Sequence, residues 1–221
     1  MKKIVKLTLT SILLLIASTS SLEAQFGKLK DLKPKKSSSS SSGNLSASQD
    51  ALVLQTAAAI AMLAEAQSYV ALAQGNQELA EQLKNVQKEL NGGNTGDIKS
   101  HMDTVNKAAK VQKEVIKEKE KMSDDAKKSY QKALVPYFSS AALTIKLKDP
   151  AQNFVKDATN QIKSIKNPLE LGKVKKSVDT GMYIGKNIPS LISNLLSTTG
   201  DLMSYSKDNG LDVSKAASIE L

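Results

Sequence analysis

Residues 51–73, ALVLQTAAAIAMLAEAQSYVALA, constrain the fold more than any other part of the chain, with nine alanines in 23 residues and one charged side chain, Glu65. A helix apolar on almost every side has to be surrounded, either by other helices or by lipid. Gln55, Glu65 and Gln67 make the segment too polar for a permanent membrane span, so the expectation is the centre of a soluble bundle. The fold class that follows is all-α: an irregular bundle of about five helices around one long alanine-rich helix. No strand-like alternation with hairpin turns occurs, and no repeat recurs at a fixed period.

The central helix is expected to start within residues 46–50, where Ser46, Ser48 and Asp50 are N-cap residues, and to run to Leu90 through the amphipathic set Leu79, Leu83, Val86 and Leu90. NGGNTG at 91–96 ends it. Residues 97–122 form a second helix, a coiled-coil-like hairpin partner with Ile98, Met102, Val105, Ala109 and Ile116 on one stripe and a lysine-glutamate face opposite. Ser123, Asp124 and Asp125 cap a third helix reaching Lys148, with a kink or break expected at Pro136. Asp149 and Pro150 start a fourth, to about Ile165. Between Asn167 and Asn187 a short helix over 169–182 is expected among Pro168, Gly172, Gly181 and Gly185. Pro189 then opens a last amphipathic helix, and residues 211–221 are expected to be a loose tail.

The bundle is preceded by two segments of different character. Residues 1–24 have the three zones of a secretory signal: Lys2, Lys3 and Lys6, an apolar core over residues 7–17, and a cut expected after Ala24, with 17–21 as an earlier alternative. The core is about half the length a spanning helix needs. With no cysteine after it, a lipid-anchored form is not expected. Residues 25–46 read as a disordered basic linker, KLKDLKPKK followed by six serines. The domain organisation is therefore signal peptide 1–24, linker 25–46, helical body 47–210 and tail 211–221. Removing the signal lowers the net charge from +9 to +7, since it holds three lysines and one glutamate.

Composition narrows the chemistry. Without cysteine an exported body has no disulfide framework and depends on packing. With all 31 basic residues lysine and none arginine, the planar fork that grips carboxylates and phosphates is missing. A histidine-cysteine metal site is not expected, because His101 is the sole histidine. No GxSxG elbow is present. Ser129 with Lys132 and Ser204 with Lys207 match SxxK, but no SDN or KTG accompanies them. GMYIGK at 181–186 has three residues between its glycines where a phosphate loop has four, and reads as a close helix contact or a helix breaker. Asp97 with Asp103, and Asp124 with Asp125, lack a calcium-loop pattern and read as helix acids near N-termini.

Glu65 is the only charge between Asp50 and Glu78. Tyr69 follows one turn later, and Gln55 lies near three turns earlier, so Glu65 and Tyr69 are the candidate ligand-binding pair: a polar notch in an alanine-lined groove, or the line where the helix meets solvent. No catalytic residue, cofactor or metal is expected. The functional expectation is an exported, non-catalytic helical protein, periplasmic or secreted, acting by binding or structure. Its partner would be an envelope component such as an anionic surface, a protein or an apolar ligand, and not nucleic acid. The rival is a membrane-active protein that inserts residues 51–73.

Overall fold

The structure, a computed structural model, describes residues 42–118 and 121–221. The expected signal peptide and most of the linker lie outside these residues. Among the described residues every regular element is a helix: α1 (Ser42–Ala73), α2 (Gln77–Asn91), α3 (Ile98–Lys117), α4 (Asp124–Lys146), α5 (Lys148–Ser164), α6 (Pro168–Ser177), α7 (Asp179–Asp208) and α8 (Ser214–Ala217).

The alanine-rich helix is central, as its composition demands. α1 packs against α2, α3, α4, α5 and α7. Ala59, Ile60, Leu63, Ala64, Ala66, Val70 and Ala71 are almost wholly buried. Alanine lets neighbouring backbones approach closely, while Ile60 and Leu63 each contribute about 2 kcal/mol of apolar burial. Helix formation begins at Ser42, inside the expected linker, and Leu45 already joins the core.

The central helix does not continue to Leu90. Gly75 takes φ +73°. Its N–H donates to the Leu72 carbonyl at 3.1 Å, and the Asn76 N–H reaches back to Ala71 at 2.9 Å. This paired arrangement satisfies carbonyls at the end of α1, and glycine enters the left-handed region without a Cβ penalty. The Asn76 side chain then caps α2 by accepting from the Leu79 N–H at 3.1 Å. Two adjacent residues thus stop one helix and start the next, and α2 returns along α1.

Ser123 caps α4 as expected, its hydroxyl accepting from the Ala126 N–H at 3.2 Å. Pro136 does not end α4, and Leu147 alone joins α4 to α5. Nor does Pro189 open a helix, because it lies inside the 30-residue α7. The reason is visible at Gly181 and Gly185, which are the contact surface with α5. A Cβ at Gly181 would stand 2.4 Å from the Phe154 ring, and one at Gly185 would stand 2.3 Å from Val155 Cγ2 and 2.9 Å from the Ala151 carbonyl oxygen. Tertiary contact of this closeness outweighs the local helix-breaking preference. GMYIGK is therefore a close-contact motif. The short helix expected over 169–182 splits at Val178 into α6 and the start of α7.

The C-terminal residues are not loose. α8 buries Ala216, and Gln131 Nε2 donates to the Asp212 carbonyl at 2.7 Å, which ties the segment to α4.

The glycine contacts give opposite expectations for one substitution at two sites. Gly185→Ala should destabilise the protein by about 1–3 kcal/mol through overpacking. Gly200→Ala, where an added Cβ meets nothing within 4 Å, should stabilise it by about 0.5–1 kcal/mol. Urea unfolding of both variants checks this, and equal midpoints would contradict the close-contact role of Gly185.

Candidate functional site

Between Thr56 and Val70, α1 leaves only Ala58, Glu65 and Tyr69 less than buried. Leu54, Ala58, Glu65 and Tyr69 recur at helical spacing along it, half-buried or exposed, while their neighbours at Ala57, Ala61, Met62, Ala64 and Ala66 are buried. The structure therefore brings Glu65 and Tyr69 together, one turn apart. Burial raises the Glu65 carboxyl above its ordinary pKa. Burial also raises the Tyr69 hydroxyl, and the neighbouring Glu65 charge adds to that. Lys132 Nζ of α4 stands 6.0 Å from the centroid of the Tyr69 ring, at the outer limit of a cation-π contact. The result is an acid, a phenol and an ammonium group at the edge of an apolar seam.

A described cleft lies elsewhere. It is an open cleft of about 250 Å³ where α1 ends, lined by Gln74, Val115, Glu118, Lys121, Tyr130 and Tyr205 among others. Tyr130 and Tyr205 meet edge to face at 5.5 Å. The Tyr130 hydroxyl accepts from Gln74 Nε2 at 3.1 Å, and burial raises its pKa. Gln74 and the two tyrosines were not singled out by sequence reasoning. The available signal was Gln67 and Gln74, two glutamines seven residues apart on an otherwise apolar helix.

Those glutamines belong to a buried polar row. Gln67 Nε2 donates to the Val105 carbonyl at 3.0 Å, and Gln74 Nε2 to the Gln112 carbonyl at 3.3 Å. Gln112 returns a bond from Nε2 to the Gln67 carbonyl at 2.7 Å. Beside them lies Tyr137, fully buried, whose hydroxyl burial pushes up to about 12 while the Thr198 and Gln67 side chains act in the opposite direction.

The remaining sequence candidates fall apart as sites. His101 is buried with Nε2 3.4 Å from a Glu89 carboxylate oxygen, bridging the start of α3 to the end of α2. Among the described residues no group of three or more histidine, cysteine, aspartate or glutamate side chains is placed to hold a metal ion. Lys132 is turned over Tyr69, and Ser204 and Lys207 are both exposed. Asp103 accepts from the Tyr183 hydroxyl at 2.6 Å, and Asp125 pairs with Lys128 at 3.0 Å on the surface of α4. Comparison with protein-family models, with curated proteins and with solved structures finds no match.

Glu65 supplies a pH test. Its folded pKa is raised, so the charged form is the disfavoured one in the folded state. The cost is fully present above the raised pKa and disappears below the ordinary value near 4.5. Glu65→Gln should therefore raise the urea midpoint at pH 8 and leave it unchanged at pH 4. A midpoint lowered at pH 8 would mean that the carboxylate has a stabilising partner.

Proposed function

We propose that this chain is an exported, non-catalytic helical protein of a bacterial-type cell envelope, periplasmic or secreted, that acts by binding or as a structural body. The observation that carries the reading is the enclosure of α1. Leu45–Ala73 is, among the described residues, the one helix long and apolar enough to cross a membrane, yet 72% of its most apolar stretch is buried inside the bundle. Its apolar surface is thereby occupied by the protein's own helices. The three-zone N-terminal sequence supports export, and the dispersal of serine, lysine, histidine and acidic side chains supports a role without covalent chemistry. The open cleft by Gln74 and Tyr130, which Glu118 and Lys121 also line, offers a small polar ligand an amide and aromatic edges.

The length and composition of Leu45–Ala73 also favour a second reading, a membrane-active protein in which this helix leaves the bundle and inserts. The half-buried Glu65 opposes it, since a carboxylate near the middle of a span is costly.

Two measurements separate these readings. Native mass spectrometry of protein purified from the envelope fraction should show a chain beginning at Gln25, and an unprocessed chain confined to the cytoplasm would remove the export reading. Dye release from vesicles should be absent for the wild type and for Glu65→Leu. Release by the wild type, increased by Glu65→Leu, would favour insertion.

A further inference from the structure

α6 differs from every other helix of ten or more residues in the described protein in burying none of its residues. Its inner side is thin: Leu171 and Val174 are half-buried, and Val178 just beyond is buried. On the opposite face Leu169, Lys173 and Lys176 recur at i, i+4 and i+7, the spacing that aligns side chains along a helix. Leu169 is 79% exposed, the most exposed large apolar side chain described. Residues 163–177 hold five lysines, Lys163, Lys166, Lys173, Lys175 and Lys176, against one acid, Glu170. All five lysines are exposed, and none forms an ion pair among the described residues.

Gln49, in the first turns of α1, donates from Nε2 to the Ser177 carbonyl at 2.8 Å and accepts from the Gly181 N–H at 3.0 Å. The start of α1 is thus fastened to the end of α6.

We propose that the outer face of α6, where exposed Leu169 is aligned with the exposed Lys173 and Lys176, docks on an anionic lipid surface. An exposed leucine aligned with exposed lysines suits an interface whose outer layer is negative and whose next layer is apolar. Lysine ammonium groups meet the lipid phosphates while the leucine enters the acyl boundary. A soluble acidic protein would answer the lysines alone. The proposal deepens the envelope reading and rests on it only for where such a surface is met.

The test is co-sedimentation of the chain, as purified from cells, with vesicles of equimolar phosphatidylglycerol and phosphatidylcholine, and with phosphatidylcholine alone. Binding is expected only to the anionic vesicles and should be lost at high salt, which shortens the reach of the charges. Lys173→Gln, Lys175→Gln and Lys176→Gln combined should weaken it by roughly 100-fold, at about fivefold per lysine. Leu169→Ala should weaken it several-fold. A control with Lys84→Gln, Lys88→Gln and Lys107→Gln, exposed on α2 and α3, removes the same charge elsewhere and should leave most of the binding. Equal loss in the control, unchanged binding in the α6 variant, no binding to either vesicle, or binding to anionic polysaccharide but not to vesicles would each overturn the proposal. The measurement uses purified protein, so its failure leaves the export reading standing, while failure of export leaves the vesicle result intact.

Discussion

Gln67 and Gln74 stand one heptad apart on α1 and donate to the carbonyls of Val105 and Gln112, one heptad apart on α3, while Gln112 bonds back to Gln67. This exchange ties α1 to α3 at one register. A helix made largely of alanine offers neighbours a nearly featureless surface, along which a slip of one turn, about 5.4 Å, would exchange one methyl contact for another. The amides mark one register. Their energetics indicate specificity over strength. Each bond nets about 1 kcal/mol, whereas the buried Oε1 atom of Gln112, without a described partner, costs about 1–3 kcal/mol. The row adds little to stability; what it supplies is a preference for one alignment.

With α1 and α3 aligned, other features take their places. Gln74 reaches the Tyr130 hydroxyl and forms one wall of the cleft at the end of α1. The turn at Gly75 and Asn76 sends α2 back along α1, and α4 brings Lys132 to Tyr69. What is left uncovered is the seam of Leu54, Ala58, Glu65 and Tyr69, which is why the lone charge of the alanine-rich segment meets water instead of a buried partner. At the other end Gln49 fastens α1 to the α6–α7 junction.

The all-α class and the central position of residues 51–73 were legible because apolarity on every side of a helix has few solutions. The Ser123 cap was legible because its residue type determines its role. Failures occurred where tertiary contact overrode local preference. Gly181, Gly185 and Pro189 read as interruptions, yet the glycines are where α5 approaches α7, and the helix runs through all three. At Gly75 the error was the reverse: a helical period continued past a glycine-asparagine pair that stops it. For the candidate site, Glu65 and Tyr69 were rightly placed on one face. The cleft was missed because Gln74, Met122, Tyr130 and Tyr205 come from distant parts of the chain, which no local pattern joins.

The register claim can be measured directly, because the chain has no cysteine and spin labels can be placed at will. Ala47→Cys on α1 and Lys110→Cys on α3, both exposed, are separated mainly along the direction in which the helices would slip. Double electron-electron resonance between them should give one narrow distance distribution in the otherwise native protein. With Gln67→Leu and Gln112→Leu added, the distribution should broaden or gain a population displaced by about one helical turn, roughly 5 Å, while the urea midpoint does not fall. An unchanged narrow distribution in the leucine variant would show that packing alone sets the register, and would contradict this account.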